Sequence, residues 1–192
     1  MPRKARARLD KNAVLQAAVD ILNAEGVQAL TLGRLAEKLK IKTPSLYNHV
    51  DGLTGLQQEL AVLNAKLLAD HLGTAAIGKS GTQLFMEVSQ AFRDYVKEYS
   101  GLYMSTLRSS GTQQVQDKNL VYEDERTMNV GLTVMSSLGL KGEDAIHGLR
   151  AFRSMVHGFA TLEVAGGFGL PQDCDESFRR LVSALVVGLQ QK

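Results

Sequence analysis

The sequence predicts an all-α fold in two parts: a three-helix helix-turn-helix domain over residues 1–53 and a helical bundle over residues 54–192. Three observations carry this expectation. Only three of the 192 residues are proline, so long uninterrupted helices are open to the chain. Apolar residues make up 44% of it and recur at three- and four-residue spacing, with no alternating run of the kind a half-buried strand needs. The stretch Thr31 to Val50, TLGRLAEKLKIKTPSLYNHV, holds two short helical patterns, each opened by a capping residue, with a tight turn between them. A chain of this length can bury a substantial core.

The first element is a basic arm, Pro2 to Arg8, whose Arg3, Lys4, Arg6 and Arg8 suit phosphate or minor-groove contacts. Asp10 caps a first helix running to about Glu25, with Val14, Ala18, Ile21 and Leu22 on one face and Gly26 as its stop. Thr31 caps the second, where Leu32, Leu35, Ala36 and Leu39 share a face and Ala36 leaves room for a close crossing. Gly33 and Arg34 lie at its amino end, where free amides and a cation can meet one phosphate. Lys40-Ile41-Lys42 makes the turn. Thr43 then caps a helix with Pro44 at its first position, and over Ser45 to Val50 the buried pair is Leu46 and Val50.

That spacing leaves Ser45, Tyr47, Asn48 and His49 facing outward. Thr43, Ser45, Tyr47 and His49 can donate to phosphate oxygens, and Asn48 can read a base edge. Two capped helices crossing over a short turn place the second in the major groove of double-stranded DNA. The charge distribution agrees. Residues 1–52 hold nine Lys and Arg against five Asp and Glu, whereas the remainder holds thirteen against fifteen. The competing reading is an amphipathic hairpin inside a bundle, which does not account for two caps, a proline and an exposed polar-aromatic cluster together.

LAEKLKIKTPSLYNHV, preceded by Ala24-Glu25-Gly26 and by Leu30-Thr31, resembles the N-terminal domain of TetR-family transcriptional regulators over roughly the first third of the chain. The resemblance implies that Tyr47 and His49 contact phosphates and that their helix supplies base contacts. With the basic arm, Thr31, Arg34, Lys42, Thr43, Pro44, Ser45 and Asn48 complete the expected DNA-binding set. Two departures stand out. The family usually has Gly where this chain has Lys40, a position that tends to need positive φ, and a non-Gly residue there costs roughly 1 kcal/mol. It often has a phosphate-binding Lys where Leu53 stands, so that contact is expected to be missing.

Asp51-Gly52 marks a turn, and Thr54 with Gln57 has capping-box spacing for a long helix carrying Leu56, Leu60, Leu63, Leu67 and Leu68. In the TetR family this helix is the mechanical link between the two parts. Gly73 to Gly81 reads as a loop. Thr82 to Tyr99 is helical again, with Leu84, Val88, Ala91, Phe92, Tyr95 and Val96 inward. A short helix opens at Gly101 and ends before Ser109-Ser110-Gly111. Asp117 to Leu138 is long and apolar at Leu120, Val121, Met128, Leu132 and Met135, and its Glu123-Asp124-Glu125 cluster reads as a solvated face.

Glu143 to about Ala165 carries Ile146, Leu149, Phe152, Val156, Phe159 and Ala160, with Gly166-Gly167 as its stop. The last helix, Phe178 to Leu189, is apolar on more than one face. A terminal helix of that kind needs a partner to cover it. Phe178, Leu181, Ala184, Leu185 and Gly188 are therefore expected at a homodimer interface, which suits a protein reading a two-fold operator. Val156-His157-Gly158-Phe159 resembles the Trp-His-Gly motif of one group of TetR-type C-terminal domains, with Val156 in place of Trp. The resemblance also implies a small-molecule effector inside the C-terminal bundle, and Phe92, Tyr95, Tyr103, Met104, Met128, Met135 and His157 are the residues expected near it.

No pattern for a metal, a cofactor or catalysis is present: no CxxC, HExxH, phosphate loop or nucleophile elbow, and His147 and His157 are not at chelating spacing. Cys174 lies between Asp173 and Asp175, which disfavour a thiolate. One cysteine excludes an internal disulfide and fits a reducing cytoplasm. No apolar run reaches the ~18 residues of a membrane span, and the basic start lacks the apolar core of a signal peptide. The expectation is a cytoplasmic homodimeric repressor without enzymatic activity. The alternatives are a helical enzyme or small-molecule carrier with a purely architectural helix-turn-helix, and an interaction protein that has lost its operator.

Overall fold

Helical apolar spacing becomes helix over most of the described residues. The computed structural model describes residues 9–107 and 117–191, and among them are nine α-helices and no strand. They are α1 (Lys11–Glu25), α2 (Leu32–Leu39), α3 (Thr43–Leu46), α4 (Gly52–Ala76), α5 (Gly81–Glu98), α6 (Ser100–Leu107), α7 (Lys118–Ser137), α8 (Gly142–Val164) and α9 (Cys174–Gln190), with a turn of 3-10 helix at Val27–Ala29. Arg3, Lys4, Arg6 and Arg8 of the basic arm, and the Ser109-Ser110-Gly111 stop, lie outside the described residues. The described residues fall into two compact units, those within Met1–Ala61 and Gly101–Gln114, and those within Val62–Ser100 and Val115–Lys192.

In the first unit Asp10 caps α1 by accepting from the Ala13 amide at 2.8 Å, and Gly26, at φ 85°, ends it. Val14, Ala18, Ile21, Leu22, Leu35, Leu46, Leu56 and Leu60 form the core. Residues 101 and 102 join this unit across nearly 80 positions of sequence. The Asn23 side-chain oxygen accepts from the Gly101 and Leu102 amides at 3.0 and 3.1 Å. A Cβ on residue 101 would lie 1.9 Å from the Leu22 carbonyl oxygen, so only glycine fits this approach.

The second unit packs α5 between α7, α8 and α9. Phe85, Val88, Phe92, Val134, Met135, Phe152, Val156, Phe178, Val182 and Val186 fill its core. Arg93, only 1% exposed, is held within it by Glu163 at 2.6 Å and Asp175 at 2.7 Å, with its guanidinium over the Phe159 and Phe178 rings. The hydrogen bond from Arg93 is the main reason the Glu163 carboxyl is held below the usual range. The pairing satisfies a charge that would otherwise be very costly to bury.

Several boundaries differ from expectation. α4 starts at Gly52, so Thr54 lies inside the helix instead of capping it, and α4 runs on to Ala76, into the stretch expected as loop. α9 starts at Cys174, four residues early, because Asp173 accepts from the Asp175 amide and caps it. Within the acidic cluster Glu123 is buried, not solvated, and pairs with Arg126, which also reaches Asp70.

Candidate nucleic-acid interface

The helix-turn-helix is set by a side-chain cap at the start of its first helix and by backbone hydrogen bonds through its turn. Thr31 accepts from the Arg34 amide at 3.0 Å and so starts α2. Lys40 closes α2 at φ 55° and ψ 43°, its amide directed at the Ala36 and Glu37 carbonyls. The left-handed turn is kept, with a lysine in it. The Ile41 amide returns to the Ala36 carbonyl at 3.0 Å, which fixes the angle at which the chain enters α3.

The second helix is shorter, and begins earlier, than expected. Lys42, not Thr43, is its N-cap and gives no side-chain cap; Thr43 and Pro44 are already in the first turn. Beyond Leu46 the backbone tightens: the Asn48 and His49 amides donate to carbonyls three residues back, and only Val50 reaches back four. Ser45 to Val50 is therefore the end of a short helix followed by turns. Its anchor is as expected, with Leu46 fully buried and Val50 5% exposed.

Around that anchor Tyr47 is 60% exposed, Asn48, Lys42, Pro44 and Thr31 are exposed, and Thr43, Ser45 and His49 are half-buried. The expected DNA-binding residues of α3 and its flanks are thus open to solvent in whole or part. Arg34 differs in kind. Its Nε and Nη2 donate to the two Glu25 carboxylate oxygens at 2.9 and 2.8 Å, and its Nη1 donates to Glu37 at 3.0 Å. Those hydrogen bonds raise the Arg34 pKa and lower that of Glu25. Sequence spacing gave no sign of the Glu25 contact, because the two residues are nine positions apart with a 3-10 turn between them.

In the second unit Phe92, Tyr95 and Met135 are buried in the core, His157 is half-buried and Met128 is exposed. Burial is the chief cause of a lowered His157 pKa. Tyr103 and Met104 belong to the first unit. A groove of about 620 Å³ between α5 and α7, lined by Lys79, Ser80, Asn129, Leu132 and Thr133 among others, involves none of the seven residues expected near an effector. The Thr127 hydroxyl, on α7, is buried with no hydrogen-bond partner among the described residues. On α9, Leu181, Ala184 and Gly188 are exposed and Leu185 is half-buried. Phe178 is not on that surface: it is 2% exposed and packs on Phe159 at 5.0 Å, inside its own chain.

No group of three or more His, Cys, Asp or Glu able to hold a metal occurs among the described residues, and no helix there is long and apolar enough to cross a membrane.

The sequence profile of the tetracycline repressor-like C-terminal domain matches residues 85–185, more than half of the chain. A helix-turn-helix-type transcriptional regulator of Bacillus subtilis, YobS, is 29% identical over 96% of this chain and 94% of its own. Among solved structures, a TetR variant from Acinetobacter baumannii in complex with minocycline superposes with a TM-score of 0.70 at 23% identity, over 96% of this chain and 98% of that one. BioQ bound to its double-stranded DNA operator superposes with a TM-score of 0.63 at 23% identity, over 96% of this chain and all of that one.

Proposed function

The chain belongs to the TetR family of transcriptional regulators, and we propose that it acts as a cytoplasmic, ligand-responsive repressor whose homodimer binds a palindromic operator. On this reading residues 1–53 read DNA, and residues 54–192 dimerise and bind the effector. The observation that carries it is the segment from Lys42 to His49, displayed around a buried Leu46 with Tyr47 60% exposed. A hairpin serving only as architecture would cover its aromatic side chain. This one covers its leucine and leaves the tyrosine out.

Each copy would place α3 in the major groove of one half-site, with Thr43, Ser45, Tyr47 and His49 on phosphates and Asn48 at base edges. Arg34 fits a supporting role better than a phosphate contact, since three of its donors are committed to Glu25 and Glu37. Dimerisation is supported by α9. Leu181, Ala184, Leu185 and Gly188 follow at spacings of three, four and seven, which gives one uncharged, largely exposed stripe. Phe178 drops out of that surface.

An effector within the second unit is supported by the orphaned Thr127 hydroxyl, since buried polar groups rarely lack a partner. Phe92, Tyr95, Met135 and His157 are the expected pocket residues that lie buried or half-buried in the same unit. Release then requires the ligand to prefer one arrangement of α4, the helix that runs from one unit into the other, over another.

A mobility-shift series on the DNA upstream of the chain's own gene tests the proposal. Binding should fall steeply with salt, as phosphate contacts require. Tyr47→Ala should weaken it without altering the dimer. Unchanged binding by that variant would remove α3 from the interface.

A further inference from the structure

We propose that Lys40 contacts a DNA backbone phosphate, and that this explains a lysine in a backbone conformation that suits glycine. The inference rests on the first unit being the DNA-binding part, and it adds a residue outside the set that sequence alone suggested.

The first observation is conformational. Lys40 is the one non-glycine residue at positive φ among the described residues. In the left-handed region a Cβ crowds the following carbonyl, and lysine has no short polar group to offset this locally, as asparagine has. Glycine would hold the same corner without the crowding. Nothing in the local backbone therefore favours lysine, so the reason for it has to lie with the side chain. Conformations of this cost concentrate at functional positions.

The second observation is a pattern of charge pairing. Each basic side chain of α1 and α2 has an acidic partner. Lys11 pairs with Glu59 at 2.5 Å, Arg34 with Glu25 at 2.8 Å and Glu37 at 3.0 Å, and Lys38 with Asp20 at 3.5 Å. Lys40 and Lys42 are both exposed and have no ion-pair partner among the described residues. They flank Ile41, which is half-buried and tied to Ala36 by its amide, so the connection carrying both ammonium groups has a fixed path. Uncompensated positive charge in this part of the described first unit is thus confined to the corner that leads into α3. A lysine ammonium is a compact charge suited to a phosphate oxygen and carries no base preference.

Because such a contact is independent of sequence, it can be read on a mixed-sequence duplex of about 30 base pairs, by fluorescence anisotropy of the full chain between about 50 and 200 mM salt. Lys40→Gln keeps the backbone conformation and removes the charge; Lys40→Gly relieves the conformation as well. Both should bind about three- to tenfold more weakly at the low-salt end and lower the slope of log affinity against log salt by about one for each Lys40 engaged, about two for a bound dimer. Lys40→Arg should retain the wild-type slope. Lys40→Gly should nevertheless melt about 2–4 °C above the wild type, which separates lost binding from lost folding. Lys118→Gln, an exposed change in the second unit, controls for net charge and should leave the slope unaltered.

Wild-type slopes in Lys40→Gln and Lys40→Gly overturn the proposal. If, in that case, Tyr47→Ala still weakens binding, only the role of Lys40 fails. If the wild type itself shows no salt-dependent affinity for duplex DNA, the DNA-binding reading fails and this inference with it.

Discussion

Two positions show how single side chains set the packing. Gly101 lies where any Cβ would meet the Leu22 carbonyl oxygen at 1.9 Å, and its amide donates to Asn23. Gly101→Ala must push the last turn of α1 aside, and overpacking of this kind costs about 1–3 kcal/mol. A thermal melt reads it, and a midpoint within a degree of wild type would mean that the approach is looser than drawn. Glu163 makes the second case, through pH. Arg93 holds its carboxyl below the ordinary range, so the unfolded chain takes up the proton first as pH falls. The stability this confers is complete above the ordinary glutamate value of about 4.3 and is lost as pH drops through the depressed folded value. Glu163→Gln should cost about 1.5–3 kcal/mol near neutrality. The gap to wild type should narrow as melts are run toward about pH 3. A gap independent of pH would contradict the ionic account. Neither position was legible in the sequence, because Gly101 and Glu163 act on partners some 70 to 80 residues away, beyond the reach of any periodic pattern.

At the scale of the element, helix existence was readable and helix ends were less so. α1 follows its sequence signals at both ends, Asp10 and Gly26, because each acts within one turn. α3 does not: after Leu46 the chain tightens into turns, a change that the spacing of Leu46 and Val50 leaves open. α9 begins at Cys174 because Asp173 acts as its cap, a role masked in the sequence by the acidic run around it. The same helix shows where periodicity misleads. Phe178 and Leu181 both read as apolar surface, yet Phe178 is taken up by Phe159 and Arg93 of its own chain. The exposed stripe is therefore Leu181, Ala184, Leu185 and Gly188. Ala184→Glu places a charge at its centre without touching the buried Val182 or Val186. Light scattering should then report a monomer with undiminished helical circular dichroism. A dimer of wild-type stability would move the interface off α9.

At the scale of the whole molecule, the all-α class and the family were within reach of the sequence, since both rest on local patterns: caps, helical spacing and the run from Leu35 to Val50. What lay beyond it was how charge is spent. Arg34 read as a phosphate contact is engaged with two glutamates, while Lys40, read only as a departure from glycine, keeps both its left-handed backbone and an unpaired ammonium. The central claim is that two copies present the Lys42–His49 segment to successive turns of one DNA duplex. Hydroxyl-radical footprinting of the full chain on the DNA upstream of its own gene tests that most directly. The account predicts two protected patches related by two-fold symmetry, their centres about 10 base pairs or a multiple of that apart, both lost in Tyr47→Ala. A single unpaired patch, or protection that survives the Tyr47→Ala substitution, would contradict it.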